Sequence, residues 1–384
     1  MIALADLVER FGPALRESHA AKLLPSHLHA LNAMQRCRSK FAPRMLAQCS
    51  ACGLQRSVPH SCGHRACPHC QHHDSQAWIE RQLKSLVPAT YFLITFTLPA
   101  QLRSLAWHHQ REVYAALMQT AWNTLNTFSH NDRQLAASAG AVGVLHTHTR
   151  RLDLHPHVHM VMPAAALDSK RGLWRTKHRR PSKKAQQDKP AYLFNHKALA
   201  KVFRAKLMDA LKAAGLRLPV ELPEHWVVDC KAVGDGAKAL VYLGRYLYRG
   251  VIQEKDILGC DDKGNVTFQY RDAKTTKLAR RTLPGADFLW LVLQHVLPKG
   301  LRRARNFGYL HPNSASAIRV MQLLHLRPSA ASPPPPPKPR PAMRCTCGQP
   351  MAIIARRRPP LHAAPTCGVT LPDKPSAAQA HNAH

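Results

Sequence analysis

Acidic side chains are scarce in this 384-residue chain: 22 Asp and Glu stand against 55 Lys and Arg, a formal charge of +33. So one-sided a balance repels itself unless a polyanion is a usual partner, and nucleic acid is the commonest one. The scarcity also argues against chemistry built on clustered carboxylates, because Asp153, Asp229 and Asp235 form no pattern suited to a carboxylate-triad nuclease. Long apolar runs are missing too. The longest, around YFLITFTLPA, is too short to span a bilayer. The opening MIALADLVERFGPALRES carries acids early and lacks the basic start and apolar centre of a secretory signal. These absences lead us to expect a cytoplasmic protein with no membrane partner, and the 45% apolar content is enough for a real core.

Eleven cysteines in a reducing compartment are thiols or metal ligands, not a disulfide framework. In CSACGLQRSVPHSCGHRACPHC, the pairs Cys49/Cys52 and Cys67/Cys70 form two Cys-x-x-Cys knuckles separated by fourteen residues. Two such knuckles complete a tetrahedral Zn²⁺ site, and four protein ligands leave no open position for substrate, so a structural role is expected. Cys62 is a further candidate ligand; Cys37, His60, His64 and His69 are also near enough to replace one or to build a second site. Arg56 and Arg65 beside the knuckles suit contact with DNA.

Four regions follow. Residues 1–36 have Leu4, Leu7, Val8, Phe11 and Leu15 at helical spacing; 37–86 form the Cys/His module; 87–327 alternate strand-like and helical segments, implying a mixed α/β sheet domain; 328–384 begin with a Pro-rich linker and read as a basic, disordered tail. Within the third region, DSKRGLWRTKHRRPSKKAQQDK holds nine Lys and Arg and little apolar content. It reads either as a solvated charge run or as an arm contacting phosphates, with Arg175, Lys177, Arg179 and Arg180 as candidates.

The stretch DLHPHVHMVMP reads as a strand with Val158, Met160 and Met162 on one face and His157, His159 and Val161 on the other. Upstream, GAVGVLHTH supplies a partner. If 141–148 and 155–162 form an antiparallel hairpin, residue 148 faces 155 and residue 146 faces 157. His146, His157 and His159 then converge as three imidazoles for one divalent ion. A zinc hydrolase of the His-x-His-x-Asp-His type would need Asp and His where this chain has Val161 and Met162.

A nucleophile is offered by GAKALVYLGRYLYRG. On a helix, Leu240, Leu243, Gly244 and Leu247 form the apolar stripe, while Tyr242 and Tyr246 lie one turn apart on the opposite side beside Lys238, Arg245 and Arg249. Tyr248 projects near the apolar edge. Beside a metal site in so basic a chain, paired tyrosines suit attack on a phosphodiester.

Together, HPHVH, YLGRY, SCGHRACPHCQ and HVLPKGLRRARNFGYL resemble the two-tyrosine HUH transposases of insertion-sequence family ninety-one, over roughly residues 30–310. The resemblance implies an α+β HUH endonuclease fold: an antiparallel central sheet flanked by helices, an N-terminal zinc-binding module and a Pro-rich C-terminal tail. It implies a nucleoid-associated bacterial enzyme that nicks and joins single-stranded DNA at element ends and target, with Mg²⁺ or Mn²⁺ and a 5′-phosphotyrosine intermediate. CTCGQPM in the tail looks like a contracted form of a terminal Cys-x-x-Cys element, and no second metal site is expected from it. Two alternatives stay open: a plasmid replication initiator or relaxase with the same chemistry, and a non-catalytic zinc DNA-binding regulator. Relaxases usually place their tyrosine upstream of the histidine motif; here the pair lies downstream.

Overall fold

A computed structural model describes residues 2–68, 70, 72–177, 193–248, 250–272, 275–324 and 343–358. The chain opens with α1 (Leu4–Ser18) and α2 (Pro25–Arg36), then a hairpin of β1 (Arg44–Cys49) and β2 (Gln55–Pro59), and α3 (His72–Lys84). Next come β3 (Tyr91–Thr97), α4 (Arg103–His108), α5 (Gln110–Asn131), β4 (Gly140–His148) and β5 (Leu154–Pro163). A small hairpin of β6 (Ala165–Asp168) and β7 (Leu173–Thr176) precedes α6 (His196–Ala213), β8 (Val228–Ala232) and α7 (Ala237–Tyr248). The chain then runs through β9 (Ile257–Cys260), β10 (Asn265–Arg271), β11 (Leu278–Pro284), α8 (Gly285–Leu293), β12 (Ala304–Gly308), α9 (Ala315–Leu324) and β13 (Met351–Arg358).

The central sheet has the order β12-β4-β5-β3-β8, and every neighbouring pair is antiparallel. It is the antiparallel α+β sheet that the family resemblance implied. Period-two alternation divides its residues cleanly. Phe92, Ile94, Phe96, Leu145, Val158, Met160 and Met162 pack under α5 and α6. Val142, Val144 and Val161 share the other face with Leu240, Leu243 and Leu247 of α7 and with Trp78 and Ile79 of α3. Val158, Met160 and Met162 are fully buried, each contributing about 1.5–3 kcal/mol of hydrophobic stabilisation. That pins β5 rigidly from behind.

Helix α7 is held close to α3 by Gly244. A Cβ there would stand 2.3 Å from Ile79 Cγ1, so only glycine permits the approach. Ser75 Oγ on α3 donates to Gly244 O at 2.9 Å, fixing the rotation of α7 about its axis.

Three expectations need correction. The strand-like segments of 87–327 do not build one sheet: Asn265–Arg271 forms β10 in a separate sheet, β11-β10-β9. The N-terminal helices are not a separate segment either, because Leu4, Leu7, Val8 and Leu15 share one core with Val266, Phe268, Phe288 and Val292, and buried Glu254 accepts the Leu4 N–H at 2.7 Å. The tail expected to be disordered from 328 contains β13, which pairs antiparallel with β1; 325–342 and 359–384 lie outside the described residues.

Candidate active site and thiol clusters

In the β4–β5 ladder His146 stands opposite His157 and Val144 opposite His159. The expected alignment of 148 with 155 does not hold, because an irregularity after His146 sets His148 against Leu154. The ring centroids of His146, His157 and His159 are 4.3–5.1 Å apart, and their ligand nitrogens lie within 4.8 Å of one another. Hydrogen bonds orient two rings as metal ligands commonly are: His157 Nδ1–H donates to His155 O at 2.7 Å, and His159 Nδ1 meets Thr95 Oγ1 at 2.9 Å. His146 Nε2 is buried with no hydrogen-bond partner.

Burial holds all three imidazoles neutral. It pushes His157 down to about 4 and His159 to about 3, and the buried His146 goes well below its ordinary value, with His159, His157 and Arg303 adding to the effect. Three neutral nitrogen lone pairs, one of them a buried orphan, fit a divalent ion. Among the described residues, the groups able to share an ion contain only His and Cys. Asp153 pairs with Arg281 at 2.8 Å, and Asp235 caps the start of α7 through Ala237 N.

The two tyrosines part company. Tyr246 stacks on His146, centroids 3.4 Å apart and planes 16° apart, and its hydroxyl bonds to the His148 imidazole at 2.9 Å. Burial raises its pKa, an effect that the Arg303 guanidinium, 5.3 Å over the ring, opposes. Tyr242 is 54% exposed. The apolar stripe and the tyrosine side were therefore not inside and outside: the stripe faces α3 and the sheet, and Tyr246 closes over the histidine face. The side chain of Tyr248 lies outside the described residues.

Arg303 and His295 had not been singled out. Arg303 donates to Leu145 O at 3.3 Å and Leu247 O at 3.1 Å, while its Nη2 is buried without a partner. It joins Arg65, Arg302 and His295 in lining a cleft of about 360 Å³ beside α7. His295 rings against His148 at 4.8 Å and anchors to Leu152 O. Arg303 and His295 both lie in the HVLPKGLRRARNFGYL stretch, where nothing marks Arg303 out from its basic neighbours.

The candidate phosphate arm is altered. Lys177 is not available for a backbone phosphate, since its ammonium bonds to Asp132 and to Leu193 O and lies over the Phe194 ring. Arg175 is partly buried with Nε unpartnered, and Arg245 is exposed on α7. Arg179, Arg180 and Arg249 lie outside the described residues.

The four expected zinc ligands do not meet. Cys67 and Cys70 join Cys37 and Cys62, with sulfur–sulfur separations of 3.5–3.6 Å, whereas Cys49 and Cys52 join Cys345 and Cys347. The β1–β2 hairpin explains the split. Cys49 and Cys52 sit at its tip, while Cys37 precedes β1 and Cys62–Cys70 follow β2, at its base, and a five-residue ladder holds tip from base by roughly 15 Å. His60 bonds to Arg356 O and His64 Nδ1 accepts the Ala66 N–H, and neither falls within the groups of described side chains close enough to share an ion; His69 lies outside the described residues. The Cys37–Cys62–Cys67–Cys70 set, all thiols and closed on four sides, fits structural zinc.

A histidine-lined antiparallel sheet with a tyrosine over it and thiol clusters able to hold zinc define the class: an α+β protein with imidazole and thiolate candidate ion sites. The description "Putative transposase" matches residues 140–317, and "Transposase zinc-binding domain" of the IS91 type matches 7–98. Over these two segments the chain is similar to the IS91-type transposases. It is 28% identical over 331 residues to "Putative transposase y4qJ" of Sinorhizobium fredii (strain NBRC 101917 / NGR234), covering 80% of each chain. It is 31% identical over 273 residues to "Transposase for insertion sequence element IS801" of Pseudomonas savastanoi pv. phaseolicola, covering 67% of this chain and 65% of that one. Among solved structures it is similar to the conjugative relaxase TrwC in complex with mutant OriT DNA, at 16% identity, 61% coverage of this chain, 73% of that one and a TM-score of 0.23. A metal-free TrwC complex with OriT DNA matches at 14% identity, 62% and 73% coverage and a TM-score of 0.24. Scores that low fix neither fold nor function. No helix among the described residues is long and apolar enough to cross a membrane.

Proposed function

We propose that this protein is a transposase, a metal-dependent single-strand DNA endonuclease and strand transferase in which Tyr246 is the first nucleophile. The observation that carries the reading is the seat of Tyr246: its ring lies on His146 and its hydroxyl bonds to His148, at the edge of the three-imidazole set. A Mg²⁺ or Mn²⁺ ion held by His146, His157 and His159 would polarise the scissile phosphate and offset its developing charge, and an all-nitrogen set favours the transition metal of the two.

The chain's own residues supply the rest. His148 aims the Tyr246 hydroxyl and is the adjacent acceptor for its proton. The oxygen attacks phosphorus, the bond from phosphorus to the 3′-oxygen breaks, and the 5′ end stays on the tyrosine while the 3′-oxygen takes up a proton. Because the ester retains the bond energy, a second 3′-hydroxyl reverses the step without ATP. Arg303, with Nη2 unpartnered beside the ring, is placed to meet a phosphate oxygen. Tyr242, one turn away on the same helix and exposed, suits capture of a second strand.

Labelled single-stranded oligonucleotides of the element ends, incubated with Mn²⁺ or Mg²⁺, should give a denaturation-resistant protein–DNA adduct whose peptide map ends at Tyr246. An adduct persisting in the Tyr242→Phe, Tyr246→Phe double variant, or mapped to Tyr248, would overturn the proposal.

A further inference from the structure

The tail cysteines lie outside both family-matched segments, 7–98 and 140–317, yet Cys345 and Cys347 come from almost 300 positions away to meet Cys49 and Cys52. The sulfur separations are 3.6 Å for Cys49–Cys347, 3.5 Å for Cys52–Cys345 and 3.8 Å for Cys52–Cys347. Four sulfurs each about 2.3 Å from one ion stand about 3.8 Å apart in a tetrahedron. A disulfide would need about 2.05 Å. The spacing is that of a shared ion, and all four ligand atoms fall within 4.8 Å of one another.

The backbone on each side is shaped alike. Cys52 is followed by Gly53 and Cys347 by Gly348, with φ of +72° and +84°, a left-handed bend that glycine tolerates. Cys49 O accepts from Gly53 N at 3.2 Å and Cys345 O from Gly348 N at 2.9 Å, so each pair sits on a closed knuckle. One knuckle has two residues between its cysteines and the other has one, which is why the second does not announce itself in sequence.

Among the described residues, the tail is otherwise tied by the β1–β13 ladder, by Ser50 Oγ to Pro350 O at 3.5 Å and by His60 to Arg356 O, over a small apolar core. The buried apolar residues between the two knuckles are Ala47, Cys49, Cys345 and Met351, with Met343 beside them, while Ile353 and Ile354 of β13 are about half exposed. So small a core does not by itself offset the backbone entropy of ordering residues 343–358. We propose that Cys49, Cys52, Cys345 and Cys347 bind a second Zn²⁺ ion, and that this ion clasps the C-terminal segment to the hairpin tip, adding β13 to β1 and β2. Metal loading is then the condition for the tail's strand to form. The two zinc sites differ in reach: one closes within residues 37–70, the other joins the two ends of the chain.

Native mass spectrometry of the full chain under reducing conditions tests this. We expect two zinc ions in the parent and in the Cys260→Ser control, and one in Cys345→Ser plus Cys347→Ser and in Cys49→Ser. A parent carrying a single ion, a Cys345/Cys347 double variant that retains two, or iron as the second metal would overturn the proposal. A second measurement needs no variant: hydrogen exchange in 343–358 should be slow in the two-zinc protein and accelerate as a chelator removes the more exposed ion. Unchanged protection after that loss would show that the strand stands without the clasp.

Discussion

The imidazole face of β5 and the thiol cluster at the end of α2 are both buried donor sets, built on opposite terms. The imidazoles are neutral, three in number and open toward a stacked tyrosine. The thiols are four, closed on one another, and become ligands only as thiolates. An incomplete neutral set leaves room for a substrate oxygen, whereas a complete anionic set leaves room for nothing, so one is suited to chemistry and the other to holding the chain together.

The sharpest way to break this contrast is to remove donors from each side. His157→Ala plus His159→Ala should lower adduct formation by at least roughly 10²–10³-fold, while single-strand binding, measured by fluorescence anisotropy, changes little because Lys and Arg contacts to phosphate supply it. Normal cleavage by that variant would sink the metal assignment. Cys37→Ser should do the reverse: zinc at the first cluster is lost, along with a share of an apparent binding energy on the order of 10 kcal/mol, and limited proteolysis should cut within 37–70. An intact, zinc-loaded variant would show that Cys37 is no ligand.

His27 separates burial from ligation, being a buried imidazole with no place in either set. Leu24 N donates to its Nδ1 at 3.1 Å, and burial among Trp107 and Trp290 holds it down to about 4. The unfolded chain takes up the proton near 6.5 and the folded chain resists it. Stability is therefore complete above pH 6.5, falls as pH drops, and this contribution is gone below about pH 4. The loss is on the order of 3 kcal/mol. Denaturant midpoints at pH 7 and 4.5 should converge in His27→Phe relative to the parent; an unaltered difference would assign the pH effect elsewhere. A smaller perturbation is Gly244→Ala, whose methyl meets Ile79 and Trp78. It should cost about 1–3 kcal/mol by overpacking and slow adduct formation by tilting Tyr246, with the stability loss read by thermal unfolding.

The histidine centre was readable because its information is local: strand periodicity decides which side chains share a face, and the His146–His157 alignment needed only a short hairpin. The thiol pairing was not readable, since spacing in sequence is silent on whether a knuckle lies at the tip or the base of a hairpin. Lys177 illustrates a further limit, for a basic run does not disclose that one member is tied down by Asp132, 45 positions earlier. Likewise the apolar stripe of α1 was evident, but its partner was not.

That partner has a consequence for the order of events at the ribosome. Helix α1 leaves well before α8, β10 and the Glu254 carboxylate that accepts its N-terminal N–H, which come about 250 positions later or more. At about 5–20 residues per second the delay is roughly 10–60 s. During that interval Leu4, Leu7, Val8 and Leu15 have Ala30, Leu31 and Met34 of α2 beside them but not the later half of their native core, so this early helix is among the last to be fully seated. A nascent chain stalled before residue 285 should cross-link through this stripe to a hydrophobic chaperone surface, and a chain released past residue 300 should not.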